Sequence, residues 1–250
     1  AEIAIVDSDV SKCFSVAKTL GVKGFGSDLA AALQWNPAGA IIATDPASHL
    51  KIAEIITKSG VSVLIEKPIS HSFDAARVFL EEVPKDIKVF VGCNMRYHVG
   101  VLAIRKHLSE IGRPLLARAS FCSFLPEQRL GTDLRKSYVA QQDGGGIMFD
   151  STHELDYLRW LVGPIVAVGG YSSSLGNFGL NTDDFSLLLL EHESGLYTEV
   201  HHDFLRHRKT RSCEIIGTDG TLTWSSDGKA PELCCVSFFG QKGVYKDVLS

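Results

Sequence analysis

The sequence of 250 residues lacks several features that mark specialised classes of protein. It contains no apolar run that approaches the roughly 18–20 residues of a membrane span. It opens with no secretory signal pattern. It has no excess of basic residues, since its formal net charge is −4. These absences predict a cytoplasmic protein that has neither a membrane nor a nucleic acid as its partner.

Cysteine pairs with the spacing of metal or redox motifs are also missing. The six cysteines show no C-x-x-C spacing, and most of them stand in apolar segments that resemble strands or helices. This pattern favours reduced, buried thiols over disulfides or a metal site. We therefore expect no bound metal.

The first part of the chain alternates strand and helix patterns. Five short apolar runs within residues 3–91 are separated by helical patterns of about ten residues, which predicts right-handed βαβ units and a parallel sheet. After Asn94 the chain reads mainly as strands, with two hairpin turns. The sequence thus predicts a Rossmann-type, doubly wound α/β domain in residues 1–97, followed by an α+β domain with a large open antiparallel sheet in residues 98–250.

A charged pair follows the apolar run Val61–Ile65. Glu66 and Lys67 come directly after it, before Pro68. In open α/β sheets the carboxyl end of a strand is where ligands bind, so Lys67 could reach a substrate hydroxyl or carbonyl. The alternative is an ordinary solvated pair before a turn proline.

Asp7 closes the first strand pattern, Ile3–Val6. An acidic residue at the end of the second strand of a dinucleotide-binding fold accepts hydrogen bonds from the ribose hydroxyls and repels a 2′-phosphate, which favours NAD over NADP. The alternative is a turn aspartate. The Gly-x-Gly-x-x-Gly turn that should come earlier is absent, because the chain starts at what looks like the second strand. We therefore expect roughly 25–35 upstream residues that carry a strand, this turn and a helix.

Two further groups of residues carry possible site chemistry. Thr44-Asp45-Pro46 and His49 follow the strand Ala40–Ala43, where we expect them to shape a nucleotide cleft and cap the next helix at Ser48, with a structural role for His49. Asp150 and His153 lie three apart at a helix start, which would place them on one face. There the imidazole could take a hydroxyl proton while the carboxylate fixes its tautomer. The alternative is a satisfied core histidine.

Taken in order, these motifs resemble those of the Gfo/Idh/MocA family, named after glucose–fructose oxidoreductase and inositol dehydrogenase. The matching residues are Asp7, Thr44-Asp45-Pro46 with His49, Glu66-Lys67-Pro68, Asn94-Met95-Arg96-Tyr97, and Gly144-Gly145-Gly146 followed by Asp150, His153, Asp156 and Trp160-Leu161. They cover nearly the whole chain. The sequence departs from the family pattern by one residue fewer between Asp150 and His153, by the missing glycine-rich turn and by an early end.

The resemblance implies an NAD(P)-dependent oxidoreductase that acts on a sugar, a polyol or a related hydroxyl. It implies that Lys67 hydrogen-bonds the reacting oxygen, that His153 is the general base, and that Asp150 contacts the substrate or supports the base. The implied cofactor-binding residues are Asp7, Thr44, Asp45, Pro46, His49, Glu66, Lys67 and Asn94. The implied substrate-binding residues are Lys67, Arg96, Arg135, Asp150 and His153.

Two other functions stay open: a degenerate member that binds a nucleotide or sugar without turnover, and an interaction protein that uses the open sheet. Arg129, Arg135 and Lys136 precede the glycine turn, where they could favour an anionic sugar or form a solvated basic loop. The continuous apolar run Leu187–Leu190 implies cover on both faces of the sheet. We therefore expect a homodimer or homotetramer formed through the C-terminal sheet.

Overall fold

The computed structural model describes residues 2–128, 130–131, 133–226, 234–240 and 243–249, the last six of them by their backbone alone. The chain forms two compact units, Ala1–Gly92 and Cys93–Ser250, whereas the boundary expected from the sequence lies after residue 97. Among the helices of the described residues, none combines the length and the apolar character needed to cross a membrane.

The first unit alternates short strands with helices. Its elements are β1 Ala4–Ile5, α1 Val10–Leu20, β2 Lys23–Gly24, α2 Leu29–Gln34, β3 Ala40–Ile42, α3 His49–Lys58, β4 Val63–Ile65, α4 Phe73–Glu82 and β5 Val89–Val91. β1 pairs with β2, and β4 lies between β3 and β5, with every pair parallel. The predicted parallel strand pairing of an α/β domain is confirmed, in two separate sheets of two and three strands.

Local capping explains where these helices begin and end. The side chains of Asp9, Asp28 and Ser72 accept backbone N–H groups at the starts of α1, α2 and α4. Gly21 ends α1 with φ +67°, a left-handed conformation that favours glycine. Because β3, β4 and β5 are parallel, the loops that follow them leave from one edge of their sheet.

The second unit is built on one large sheet. Its elements are α5 Val99–His107, β6 Pro114–Phe124, α6 Leu125–Gln128, α7 Gly146–Asp150, α8 His153–Val162, β7 Ile165–Ser173, β8 Phe185–His192, β9 Tyr197–Asp203, β10 Leu205–Gly217, β11 Gly220–Ser226, β12 Cys234–Gly240 and β13 Gly243–Leu249. The strand order is β13-β12-β11-β10-β6-β9-β8-β7. The predicted strand Leu233–Phe239 starts outside the described residues, at Leu233.

The pairing in this sheet is mixed. β6 runs parallel to β9, and the other described pairs are antiparallel. The predicted large, mostly antiparallel sheet is confirmed. The parallel pair and β13 were not predicted, because a contact between strands so far apart in sequence leaves no local signal.

Helices cover one face of the sheet: α5 packs on β11 and β12, and α8 on β6. On β8, Leu188 and Leu190 are buried, whereas Leu187 and Leu189 are 36% and 54% exposed. Side chains of directly paired residues point to the same face of a sheet, so Tyr171 of β7, the partner of Leu187, lies on the same side as Leu187 and Leu189. The same rule places residues of β9, β6 and β10 on this side. We call this side the outer face; it carries Leu187, Leu189, Tyr171, Glu199, His201, Arg118, Ser120, Cys122 and Glu214.

Candidate active site

Lys67 lies directly after β4, at the edge where the parallel strands of the first unit end. The backbone N–H of Glu66 donates to the carbonyl of Ile42 at 2.9 Å, so Glu66 is still held against β3. Lys67 is the first residue beyond this hydrogen bond, and the Lys67–Pro68 peptide bond is cis. The sheet therefore fixes the backbone immediately before the lysine.

The Glu66 side chain occupies the end of the neighbouring strand β5. A Cβ atom added to Gly92 would lie 3.2 Å from both Glu66 carboxylate oxygens, closer than ordinary van der Waals contact. The Gly92 N–H also donates to the carbonyl of Ile65 at 2.8 Å. Gly92 thus leaves room for a carboxylate at the carboxyl edge of the sheet.

His49 ties together the loops that follow β3 and β4. Its side chain is 1% exposed. Nδ1 lies 2.9 Å from the Pro68 carbonyl oxygen, and Nε2 lies 2.9 Å from the Thr44 carbonyl oxygen. With both ring nitrogens on backbone carbonyls, His49 has the structural role expected from its position.

Ser48 belongs to the same loop, but its side chain makes no cap bond to α3. The hydroxyl lies 2.8 Å from Thr44 Oγ1 and 2.8 Å from the Asp45 carbonyl oxygen. The expectation of a side-chain cap at Ser48 is therefore wrong, because this hydroxyl bonds back to the preceding turn. The turn that contains Pro46 is stiffened instead.

Asp7 follows β1 and is held as a carboxylate. Its Oδ1 accepts the Asp9 N–H at 2.9 Å, and its Oδ2 lies 3.1 Å from Lys12 Nζ. The hydrogen bond from Asp9, followed by the interaction with Lys12, lowers the pKa of Asp7. Each oxygen keeps a further lone pair, so the carboxylate can still accept a hydroxyl donor.

In the second unit, Asp150 and His153 belong to two different helices. Asp150 ends α7, His153 begins α8, and Ser151 between them has φ −109° and ψ 47°. The expectation that their spacing of three places both on one helix face is therefore wrong. Tyr138, which was not predicted as a site residue, donates its hydroxyl to Asp150 Oδ1.

The glycine turn before α7 allows close contacts with the protein itself. Gly146 has φ +79°, and a Cβ there would lie 2.3 Å from Asp183 Oδ1. A Cβ at Gly145 would lie 2.3 Å from the carbonyl oxygen of Gln141. Asp183 also accepts the Met148 N–H at 3.0 Å. We expected these glycines to allow close approach of a ligand. In the structure they also allow the start of α7 to pack against Asp183.

A buried set of charges lies next to His153. Glu154 is fully buried, with Oε1 3.0 Å from Arg211 Nε and Oε2 3.4 Å from His202 Nε2. Burial alone would raise the pKa of Glu154, but Arg211, His202 and His153 together lower it. The residue after the candidate base is therefore a buried carboxylate.

The predicted substrate-binding arginines are both engaged by acids. Arg96 forms a two-pronged pair with Asp156, with Nε 2.8 Å from Oδ2, and its pKa is raised by this partner. Arg135 bonds Asp133 at 2.9 Å and 3.1 Å on an exposed turn. Arg129 lies outside the described residues. Asn94 is exposed at the start of a short 3₁₀ turn.

An open cavity of about 600 Å³ in the second unit contains none of the predicted residues. It is lined by Ser123, Phe124, Glu127, Gln128 and Lys209. The pKa of Lys209 is lowered by burial and by Arg211, against an opposing effect of Asp150, so this lysine is near the Asp150 carboxylate. Its signal in the sequence is the basic run at residues 206–211, which was not considered.

Two family models match this chain. Residues 2–93 match the oxidoreductase family with an NAD-binding Rossmann fold, and residues 101–223 match the GFO/IDH/MocA C-terminal domain. Together they cover both units.

Individual relatives agree with this assignment. The chain is 25% identical over 235 residues to the D-apiose dehydrogenase of Paraburkholderia graminis. The aligned region covers 90% of this chain and 61% of that protein. It is 24% identical over 238 residues to the scyllo-inositol 2-dehydrogenase (NAD(+)) of Bacillus subtilis, with 88% and 65% covered. The chain thus spans less than two thirds of the length of these curated relatives.

A solved structure shows the same fold. Levoglucosan dehydrogenase, in complex with NADH and L-sorbose, superposes with a TM-score of 0.84 at 22% identity, over 98% of this chain and 69% of that one. The family motifs expected from the sequence lie in order within the two matched regions, except for Asn94–Tyr97, which falls between them. The chain belongs to the Gfo/Idh/MocA oxidoreductase family.

Proposed function

We propose that the protein is an NAD-dependent oxidoreductase that moves a hydride between the nicotinamide and a hydroxyl or carbonyl carbon of a sugar, polyol or sugar derivative. Supporting relatives are named for apiose, levoglucosan and inositol, and one bears NAD(+) in its name. The observation that carries the proposal is the position of Lys67, directly after β4 at the carboxyl edge of a parallel sheet, where such folds bind ligands.

The residues of the first unit fit part of NAD. The ionised Asp7 carboxylate has lone pairs for the adenosine ribose hydroxyls, and its charge disfavours the 2′-phosphate of NADP. Thr44, Asp45 and Pro46 form the loop after β3, and His49 locks that loop to Pro68. When bound, NAD supplies the carbon that accepts or returns the hydride.

The proposed chemistry of the protein is the movement of one proton. Lys67 donates a hydrogen bond to the reacting oxygen, and His153 takes the proton from the substrate hydroxyl. Asp150, held by the Tyr138 hydroxyl, contacts the substrate or orients the base. The buried Glu154 carboxylate stabilises the imidazolium formed when His153 takes the proton.

The remaining proposed residues contact the cofactor or the substrate without taking part in the proton transfer. Glu66 and Asn94 are proposed to contact the cofactor. Arg96 is proposed to contact the substrate through the N–H groups that its pair with Asp156 leaves over, since a guanidinium carries five. Arg135 is proposed to contribute positive charge from its exposed turn.

A turnover screen tests the function. Sugars, inositols and sugar acids are each incubated with NAD⁺ or NADP⁺, and reduced nicotinamide is followed by absorbance. We expect NADH from at least one compound and slower reduction of NADP⁺. NADH binding without turnover of any compound would instead identify a degenerate member, and absence of NADH binding would remove the cofactor from the proposal.

We also propose that the protein forms a homodimer or homotetramer through the outer face. Leu187, Leu189 and Tyr171 are 36%, 54% and 79% exposed, which is unusual for a cluster of large apolar side chains on neighbouring strands. Covering them removes apolar area from water. Light scattering should show a dimer or larger at micromolar concentration, with Leu189→Lys shifting it towards a monomer. A wild-type monomer would contradict the proposal.

A further inference from the structure

Three side chains with metal-ligating atoms meet at one end of the outer face. β6 and β9 are parallel neighbours, and Cys122 is paired directly with Asp203. His201 precedes Asp203 by two residues, so its side chain lies on the same side of the sheet. The ligand atoms of the three residues all lie within 4.8 Å of one another, and His201 Nε2 is 2.8 Å from Asp203 Oδ2.

We propose that Cys122, His201 and Asp203 bind a zinc-class transition-metal ion. A thiolate, an imidazole and a carboxylate are the ligand types that Zn²⁺ takes. With bonds of about 2.0–2.3 Å, tetrahedral zinc ligands stand roughly 3.3–3.8 Å apart. His201 Nε2 and Asp203 Oδ2 are closer than this, at 2.8 Å, and all three ligand atoms lie within 4.8 Å of one another, so an ion would have to separate the histidine from the aspartate.

Neighbouring groups already orient two of the three ligands. Asp203 Oδ1 accepts the N–H groups of Leu205 at 3.1 Å and Arg206 at 3.0 Å, which leaves Oδ2 directed at His201. The Phe185 ring packs edge-on against the His201 imidazole, with centroids 5.6 Å apart. Partners of this kind fix ligand orientation in protein metal sites.

Burial differs among the ligands in a way that suits a bound ion. Cys122 is fully buried and Asp203 is 5% exposed, whereas the His201 side chain keeps 32% of its surface in water. His201 is therefore the proposed ligand nearest to solvent in the single chain. A thiolate ligand favours a thiophilic ion and disfavours Mg²⁺ and Ca²⁺, which take oxygen ligands.

Charge balance also favours the site. A thiolate and a carboxylate together match the two charges of the ion. A simple ion pair would account for His201 and Asp203, and Arg206 Nη2 lies 4.0 Å from Asp203 Oδ2 as a weak competitor. The Cys122 thiol donates a hydrogen bond to Asp203, so this carboxylate faces both of the other proposed ligands. The spacing of cysteines could not reveal the site, because strand pairing brings its members together.

Cobalt(II) provides a direct test, since a Co²⁺–thiolate bond has a charge-transfer absorption band that oxygen and nitrogen ligands do not produce. Protein first dialysed against a chelator is titrated with Co²⁺ and then with Zn²⁺. We expect one Co²⁺ per chain at micromolar concentration, with the thiolate band, and its displacement by Zn²⁺. No thiolate band at micromolar Co²⁺ would overturn the proposal.

Variants locate the ion. Cys122→Ser should abolish the band, and His201→Gln, at a partly exposed side chain, should weaken Co²⁺ binding by at least about tenfold. Cys235→Ser is the control, because Cys235 is another cysteine on the outer face of the same sheet, partly exposed where Cys122 is buried. If Cys122→Ser fails to fold by circular dichroism, His201→Gln carries the test. An undiminished band in either ligand variant, or loss in the control, would overturn the assignment. The metal-binding measurement does not depend on enzymatic turnover of NAD.

Discussion

The two units hold their candidate site residues by different physical means. In the first unit the strands are two or three residues long, and the site residues follow them in loops held by hydrogen bonds such as those of His49. In the second unit the strands are 7 to 13 residues long. There His153 begins a helix beside the buried Glu154 carboxylate and its partners Arg211 and His202.

This difference indicates where substitutions should act. Loop residues held by neutral backbone contacts can change while the sheet stays folded, so their effects should fall on ligand binding. A buried ion pair behaves differently, because removing one partner leaves the other charge in a medium of low dielectric constant. Substitutions in the second unit should therefore alter stability and pH dependence as well.

The largest effect is expected at the proposed proton-transfer residues, one from each unit. Lys67→Ala and His153→Ala should each lower kcat by about 10²–10⁴, the usual contribution of a positioned acid or base. The double variant should lose less than the product of the two, because residues that act together are non-additive. Steady-state kinetics measure this, and near-native kcat in His153→Ala would remove the histidine from the mechanism.

The next effect tests the buried charges. Glu154→Gln should lower the free energy of unfolding by about 3–5 kcal/mol, because it leaves Arg211 buried without its partner. Glu199→Gln is the matched control: its pair with Arg118, at 3.3 Å, is largely exposed, so the cost should be about 0–1 kcal/mol. Denaturant unfolding measures both variants. Equal losses of unfolding free energy would show that the Glu154–Arg211 pair contributes no more than an exposed pair.

The same carboxylate predicts a pH dependence of stability. The pKa of Glu154 is lower in the folded protein than its ordinary value of 4.5. Its contribution is therefore fully present above the pKa of the unfolded chain and is lost as the pH falls through the lowered folded pKa. Wild-type unfolding free energy should fall in acid more steeply than that of Glu154→Gln. Parallel curves for the two proteins would contradict this assignment.

A smaller effect is expected for cofactor choice in the first unit. Asp7→Ser should weaken NADH binding by about 10- to 100-fold, since hydrogen bonds to a charged group contribute about 1.5–3 kcal/mol. NADPH binding should change less, so the gap between the cofactors narrows. Calorimetry with both cofactors measures it. Tighter binding of NADPH by the wild type would show that Asp7 is a turn residue only.

The smallest effect is expected at His49. His49→Asn shortens the side chain and should lose one of the two bonds to Thr44 and Pro68, at a cost of about 0.5–1.5 kcal/mol. We expect this loss to appear mainly as weaker NADH binding rather than as lower global stability. Unchanged NADH affinity would show that the contacts of His49 with Thr44 and Pro68 do not support cofactor binding.

Local patterns were sufficient to predict most of the fold. Helix α1 is bounded by its predicted cap Asp9 and stop Gly21, and the strand at Val63–Ile65 lies within the predicted Val61–Ile65. The parallel β6–β9 pairing was not predicted, because the sequences of residues 114–124 and 197–203 do not indicate that these two segments are neighbours. The continuous apolar run Leu187–Leu190 did not reveal which face is covered within the chain; there Leu188 and Leu190 are buried, whereas Leu187 and Leu189 are partly exposed.

The candidate site was less predictable than the fold. The positions of Lys67 and Asp7 after strands follow from sequence pattern, since a strand end can be read locally. The break between Asp150 and His153 depends on Ser151, whose conformation has no strong local signal. The partners Tyr138 and Arg211 could not be predicted, because packing of distant segments brings them to the site.

The central claim is that Lys67 serves an NAD-dependent oxidation, and one measurement tests it most directly. Reduction of NAD⁺ is followed by absorbance for the wild type and for Lys67→Ala across the panel of sugars, inositols and sugar acids. We predict NADH formation by the wild type with at least one compound, and a rate lower by about 10²–10⁴ in the variant. Equal rates in the two proteins, or no NADH from any compound, would contradict the account.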